Sequence, residues 1–174
     1  MAPYRTSSAI LGAALALGLA VPASAQSATQ PKPVAQFGDW SVYTGQSGGS
    51  KVCYALSQPK DRKPEGLKRD PAFFFVSTRP GEKVKNEVSI TMGFDLKDGS
   101  ESKLTIGSQV FQLYTKDAGA WVRNVAEEGK LVDAMKKAKD LTIASTSTRG
   151  NVTTDRYSMS GLGQALDRVA QECK

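Results

Sequence analysis

The sequence predicts a mainly β fold, an antiparallel β-sandwich with two helices of which the second is C-terminal. Three observations support this prediction. Short segments of alternating apolar and polar residues recur between turn residues, only two segments have helical spacing, and two cysteines lie far apart in a chain of 174 residues. Many short strands with few helices are typical of layered antiparallel sheets.

The N-terminal residues have the three parts of a secretory signal peptide. Arg5 supplies a positive charge, an apolar run follows at residues 9–21, and Ala23-Ser24-Ala25 forms an A-x-A cleavage site. A membrane anchor needs about 20 apolar residues, so this run is short for a span. We therefore expect residues 1–25 to be a cleaved signal peptide, with an uncleaved anchor as the alternative.

The rest of the chain divides into a lead-in and one domain. Residues 26–36 are polar and contain two prolines, which predicts a flexible lead-in. Residues 37–174 are long enough for a single β-sandwich domain with its own core.

Period-two patterns and turn residues predict the strands. Trp40 and Val42 anchor a first strand, which the turn at 45–50 joins to a returning strand at 51–57. Asp98-Gly99 is a hairpin turn signal. The segment 72–78 is rich in phenylalanine, which fits a strand buried on both faces or one with an apolar outer face. Further strands are predicted at residues 86–94, 102–107, 109–114, 120–122, 141–147 and 152–159.

Two segments change to helical spacing. The first, residues 127–139, places Leu131, Ala134, Met135 and Ala138 on one stripe. The second follows Ser160, a plausible N-cap residue. Its apolar face consists of Leu162, Ala165, Leu166, Val169 and Cys173.

Cys53 and Cys173 are the only cysteines. In an exported chain, two cysteines most simply form one disulfide, and two free thiols are the alternative. Cys173 lies on the apolar face of the last helix and Cys53 on a predicted strand, so a bridge would attach that helix to the sheet.

Composition excludes most catalytic chemistry. The chain has no histidine, so a Ser-His-Asp triad, a Cys-His pair and the usual zinc sites are absent. We predict no catalytic residues, no metal and no cofactor. A hydrolase that uses two carboxylates stays an open alternative, because any acidic pair can meet in the folded chain.

Basic residues concentrate in the proline-rich segment 58–71, for which the sequence predicts a long, mobile loop. Such clusters are most often solvated, and the alternative is contact with an anionic envelope component. Export argues against nucleic acid as the partner. The mature chain contains no second apolar stretch long enough to predict a transmembrane segment. The candidate anion contacts are Lys60, Arg62, Lys63, Lys68 and Arg69, and a second cluster is Lys136, Lys137 and Lys139.

Several motifs occur together in an order that resembles the invasion-associated locus B family of exported Gram-negative proteins. The resemblance covers residues 37–174. The motifs are Phe37-Gly-Asp-Trp40, Cys53-Tyr54, Ala72-Phe-Phe-Phe-Val76 with Thr78-Arg79-Pro80, Ala120-Trp121, Asp155-Arg-Tyr-Ser-Met-Ser-Gly161, Ala165-Leu166 and Cys173.

The resemblance implies a periplasmic, cell-surface or secreted β-sandwich of immunoglobulin-like type. It implies a non-enzymatic envelope protein that binds an envelope or host partner, and it carries over no catalytic residues. The runner-up function is a carboxylate-dependent hydrolase of an envelope glycan.

We predict that export removes residues 1–25. The mass of the intact protein from the periplasmic fraction should correspond to a chain that begins at Gln26, because the A-x-A site ends at Ala25. A mature protein that retains Met1 to Ala25 would contradict this prediction.

Overall fold

The structure, a computed structural model, describes residues 30–174, and the predicted signal peptide lies outside this range. The described part contains eleven strands, two α-helices and a short 3-10 turn at Pro80–Glu82. The strands are β1 (Lys32–Phe37), β2 (Trp40–Ser47), β3 (Ser50–Ser57), β4 (Asp61–Lys63), β5 (Phe73–Arg79), β6 (Val84–Thr91), β7 (Glu101–Ile106), β8 (Gln109–Lys116), β9 (Gly119–Val122), β10 (Asp140–Thr146) and β11 (Val152–Ser158); the helices are α1 (Val125–Lys137) and α2 (Leu162–Glu172).

All eleven strands belong to one antiparallel sheet, in the order β1-β2-β3-β5-β6-β9-β8-β7-β10-β11-β4. The predicted fold class is confirmed: the chain is mainly antiparallel β, sandwich-like, with two helices and the second C-terminal. The sequence does not reveal that both layers are parts of a single continuous sheet.

The sheet folds over until strands from its two halves meet around a common core. The indole Nε1 of Trp40 on β2 donates to the carbonyl of Ser158 on β11 over 3.0 Å. The ring of Phe74 on β5 packs edge-on against Tyr157 on β11, with centroids 5.4 Å apart. All three aromatic side chains are fully buried. The inner face of the sheet therefore forms one continuous hydrophobic core.

The turn between β1 and β2 is bound to the segment before α2. The Asp39 N–H donates to the Ser160 carbonyl over 3.0 Å. Gly161 has φ +88°, and a Cβ at this position would lie 2.0 Å from the Phe37 carbonyl oxygen. Glycine is required here by its backbone conformation and by this close approach.

The same turn carries an ion pair. The Asp39 carboxylate pairs with Lys60, and the hydrogen bond from Lys60, followed by one from Ser158, lowers the pKa of Asp39. A carboxyl whose folded-state pKa lies below its unfolded value stabilises the fold above the unfolded pKa. This contribution is lost as the pH falls through the folded pKa.

Helix α2 packs on the inner face of the first strands, and the predicted disulfide attaches it there. The buried residues of α2 are Leu162, Ala165, Leu166 and Val169, as its helical spacing predicts. Cys173, which ends the helix, is bonded to Cys53 on β3 with a Cα–Cα distance of 5.9 Å.

Helix α1 packs mainly against β6 and also contacts β9 and α2. Its buried residues Leu131, Val132 and Met135 contribute to the core. The Glu128 carboxylate accepts a hydrogen bond from the Val88 N–H over 3.2 Å. Val88 lies on β6 beyond the residues that pair with β9, so Glu128 satisfies a backbone donor that the short β9 leaves unpaired.

Three local predictions differ from the structure. Residues 32–36, predicted as flexible lead-in, belong to β1 and pair with β2. Asp98-Gly99 forms a turn, but it connects β6 to β7, which are not neighbours in the sheet. The N-cap of α2 is Gly161 rather than Ser160, and no side chain caps the helix.

We expect the disulfide to contribute strongly to stability because it closes a loop of 120 residues. The chain-entropy model gives roughly 4–5 kcal/mol for such a loop, and measured effects are often smaller. Urea unfolding of the double variant C53S/C173S should show a midpoint well below that of the oxidised wild type. The reduced wild type is the matched control and should unfold near the variant. Equal midpoints for variant and oxidised wild type would refute the prediction.

Candidate functional site

The proline-rich segment 58–71 is tied to β11 rather than lying free over the surface. Residues Asp61–Lys63 form β4, which pairs with β11 at the edge of the sheet. The sequence predicts no regular structure here, because three residues carry too little pattern to mark a strand. The prolines lie outside β4, which agrees with their exclusion from paired strands.

Two of the predicted anion contacts bind a buried carboxylate of the protein itself. Asp155 on β11 is fully buried. Its Oδ2 accepts from Arg62 Nε over 3.0 Å, and its Oδ1 accepts from Arg69 Nη1 over 2.8 Å. Arg62 also donates to the carbonyls of Asp70 and Met92, each over 2.8 Å. The donors of Arg62 are therefore engaged inside the protein.

The remaining basic residues of the segment have different surroundings. Lys60 pairs with Asp39, and Lys63 pairs with Glu65. Lys68 is exposed, and within the described residues it has no ion pair. Contact between this segment and an external anion stays a prediction, and Lys68 is the member whose charge is least neutralised.

A cleft lies beside this segment. It has a volume of about 550 Å³, and its lining combines basic side chains with two carboxylates. These charged residues are Lys68, Arg69, Arg149, Asp70 and Asp95. Asp70 and Asp95 are both exposed. Neither therefore lies in the apolar surroundings that are typical of a catalytic general acid.

The outer side of the sheet carries a second candidate site, a group of aromatic side chains that we call the outer aromatic face. These residues alternate with buried core positions along their strands, so they point away from the core. The outer aromatic face consists of Tyr43, Tyr54, Phe73, Phe75, Tyr114 and Trp121, and five of them are half-buried while Tyr114 is 40% exposed.

The rings of the outer aromatic face contact one another across strands. Tyr43 stacks on Tyr54 with centroids 5.4 Å apart, and Tyr54 meets Phe75 edge-on at 5.7 Å. Farther along the sheet, Tyr114 stacks on Trp121 at 5.5 Å with 21° between the ring planes. These contacts hold the rings in fixed positions, which reduces the entropy lost when a partner binds.

The six-membered ring of Trp121 lies next to Gly119 on the same strand. A Cβ on Gly119 would lie 2.1 Å from the indole ring. Only glycine leaves room for this arrangement, so Gly119 positions Trp121 against the sheet. In the sequence, the apolar segment 72–78 and the Ala120-Trp121 motif indicate part of the outer aromatic face. Neither pattern shows which side of the strand faces outward.

Two features of the structure bear on cofactors and membranes. Among residues 30–174, no group of three His, Cys, Asp or Glu side chains is arranged to hold a metal ion. In the same range, no helix has the length and apolar character needed to cross a membrane.

The fold defines a class of protein. It is a sandwich-like β domain whose C-terminal helix is bonded to the sheet through a disulfide. The profile of the invasion associated locus B (IalB) protein family matches residues 40–170. The chain belongs to this family, and the membership and the disulfide together indicate an extracytoplasmic protein.

A solved structure shows the same fold. The crystal structure of invasion associated protein B from Bartonella henselae matches with a TM-score of 0.57 and 17% sequence identity, over 79% of this chain and 95% of that chain. At this identity the likeness shows the fold alone. No curated protein sequence matches the chain.

We predict that D155N destabilises the fold by about 3 kcal/mol, because it leaves the buried Arg69 side chain and the partly buried Arg62 side chain without their counter-charge. The matched control is D140N on neighbouring β10. Asp140 pairs with Arg156 at 3.7 Å, but both side chains are about half exposed, so its loss should change stability by less than about 0.5 kcal/mol. Urea unfolding measures both variants. Similar stabilities for D155N and D140N would show that the buried contacts contribute little.

Proposed function

We propose that the protein is an exported, non-enzymatic component of the cell envelope that binds a partner through the outer aromatic face. Location in the periplasm or at the cell surface is part of this proposal. It rests on family membership, on the disulfide and on the signal peptide that the sequence predicts.

The observation that supports binding is the composition of this outer sheet surface. Small polar residues on this surface would keep the sheet soluble, but the surface carries large aromatic groups instead. They include Tyr43, Tyr54, Phe75 and Trp121. These rings are half-buried, so each keeps part of its apolar surface accessible, and accessible apolar surface on one side of a folded domain often marks an interaction site. Tyrosine and tryptophan are also the residues most enriched in binding hot spots, because each buries a large area with few rotatable bonds.

The alternative function, a carboxylate-dependent hydrolase, is favoured by one observation. Asp70 and Asp95 line the same cleft, as a pair of catalytic carboxylates would. The cleft also contains Lys68 and Arg149, and both carboxylates are exposed to water. Binding is therefore the better-supported function. Release of reducing ends from purified envelope glycans by the wild type, and its loss in D70N, would favour the hydrolase.

The binding proposal predicts that crosslinks to a partner depend on position. A photoreactive amino acid at Tyr54, in the outer aromatic face, should give discrete adducts in intact cells. The same group at Val152, which is 67% exposed on the other half of the sheet, is the matched control and should not give them.

A second arm tests the aromatic side chains themselves. The substitutions Tyr43→Ser and Phe75→Ser in the Tyr54-labelled chain should abolish the adducts, because they remove the neighbouring rings of the contact surface. Identical adducts from the Tyr54 and Val152 positions, or adducts that persist in the substituted chain, would rule out this face as the binding surface.

A further inference from the structure

A groove at the end of β9 combines stacked aromatic rings with cationic side chains. It has a volume of about 470 Å³. The residues that matter most for its chemistry are Lys83, Lys85, Tyr114, Trp121, Arg123 and Val125, and we call this site the β9 groove. Val125 is 76% exposed and Tyr114 is 40% exposed, so the groove presents apolar surface directly to solvent.

The charge of the β9 groove is positive because its acidic residues are engaged by the protein. Glu87 forms a two-pronged ion pair with Arg79, at 2.7 and 3.1 Å. Glu128 accepts the Val88 N–H, and its burial raises its pKa. By contrast, within residues 30–174, Lys83 and Lys85 form no ion pair, and Arg123 pairs with Glu101 at the rim. The uncompensated charge of the groove therefore comes from lysine.

An extended peptide fits this groove poorly. A peptide strand would have to add to the edge of β6 that β9 leaves open, and it would need regular backbone donors and acceptors there. Glu128 already occupies the Val88 N–H. Asn86 has φ +59°, and the β5–β6 pairing shifts register beside it. Such irregularities protect an open edge against strand addition.

A sugar ring that carries a negative charge fits the groove well. The C–H groups on the face of a pyranose carry partial positive charge, and they contact the negative face of an aromatic ring favourably. Tyr114, which is 40% exposed, offers such a face, and its stacking on Trp121 holds it in place. A carboxylate, sulfate or phosphate on the sugar would accept charge-assisted hydrogen bonds from Lys83 and Lys85.

From this combination we propose that the β9 groove is a binding site for an acidic polysaccharide, with Tyr114 stacking on the sugar, Trp121 supporting Tyr114 from behind, and Lys83 and Lys85 binding the anionic groups. This inference names a ligand class for one end of the outer aromatic face, and it rests on the proposed binding function. The crosslinking experiment at Tyr54 probes the other end, so the two proposals can fail separately.

Trp121 provides a direct readout. The chain has two tryptophans, and Trp40 is fully buried, so a ligand that stacks in the groove should change the fluorescence of Trp121. Titration with oligogalacturonate should give a saturable change. A neutral galactose oligomer of the same length should bind at least about tenfold more weakly, because it lacks the groups that Lys83 and Lys85 would bind.

Three variants locate the contact. K83Q/K85Q should weaken oligogalacturonate binding about tenfold, and Y114A should weaken it by a similar factor while keeping the Trp121 reporter. The matched control K136Q/K137Q removes two exposed lysines at the far end of α1 and should leave binding unchanged. Circular dichroism and urea unfolding check that each variant is folded.

Several results would overturn the inference. The wild type could fail to bind oligogalacturonate, or it could bind the neutral oligomer equally well. The variant K83Q/K85Q could also bind oligogalacturonate as tightly as the wild type does. Loss of binding in K68Q instead would assign the contact to the segment 58–71. Tight binding to vesicles of anionic phospholipid, without binding to oligogalacturonate, would identify a lipid surface rather than a polysaccharide as the partner.

Discussion

The closure of the sheet at β11 is the constraint on which the rest of the structure depends. Tyr157 on this strand faces inward, where it meets Phe74 on β5, a strand in the other half of the sheet. The Ser158 carbonyl accepts from the Trp40 indole. A strand that met only its sheet neighbours would leave Trp40 and Phe74 exposed, and the two layers would have no common core. The segment from Asp155 to Gly161 therefore determines how the two halves of the sheet are brought together.

Local patterns in the sequence were sufficient for the elements that have strong periodicity. The face of α2 that begins at Leu162 has the spacing of an amphipathic helix, and the structure buries that face. The first hairpin around Trp40 and the inward direction of Cys173 could be predicted for the same reason. Each depends on residues within a few turns of helix or a few residues of strand, where side-chain direction follows directly from position.

Elements that depend on distant partners could not be predicted in this way. Arg62 and Arg69 look like solvated charges in a proline-rich segment, and only the fold brings the buried Asp155 between them. Asp98-Gly99 is a strong hairpin signal, but a two-residue turn motif says nothing about which strands pair. In this sheet the β7–β8 hairpin continues directly into β9, and β9 pairs with β6. β9 therefore occupies the position beside β6 that β7 would occupy in a simple hairpin.

The aromatic residues of the sheet fall into two groups, one that faces the core and one that faces solvent. In β5 the phenylalanine rings alternate between core and exterior, with Phe74 buried and Phe75 only half-buried. Phe74 is required for closure against Tyr157, so its identity is explained by stability. Phe75 and Trp121 face outward, where their contacts with Tyr54 and Tyr114 across the strands add modestly to the stability of the sheet. Closure of the sheet against Tyr157 does not involve these rings, so they are the aromatic residues on which the proposed binding function rests.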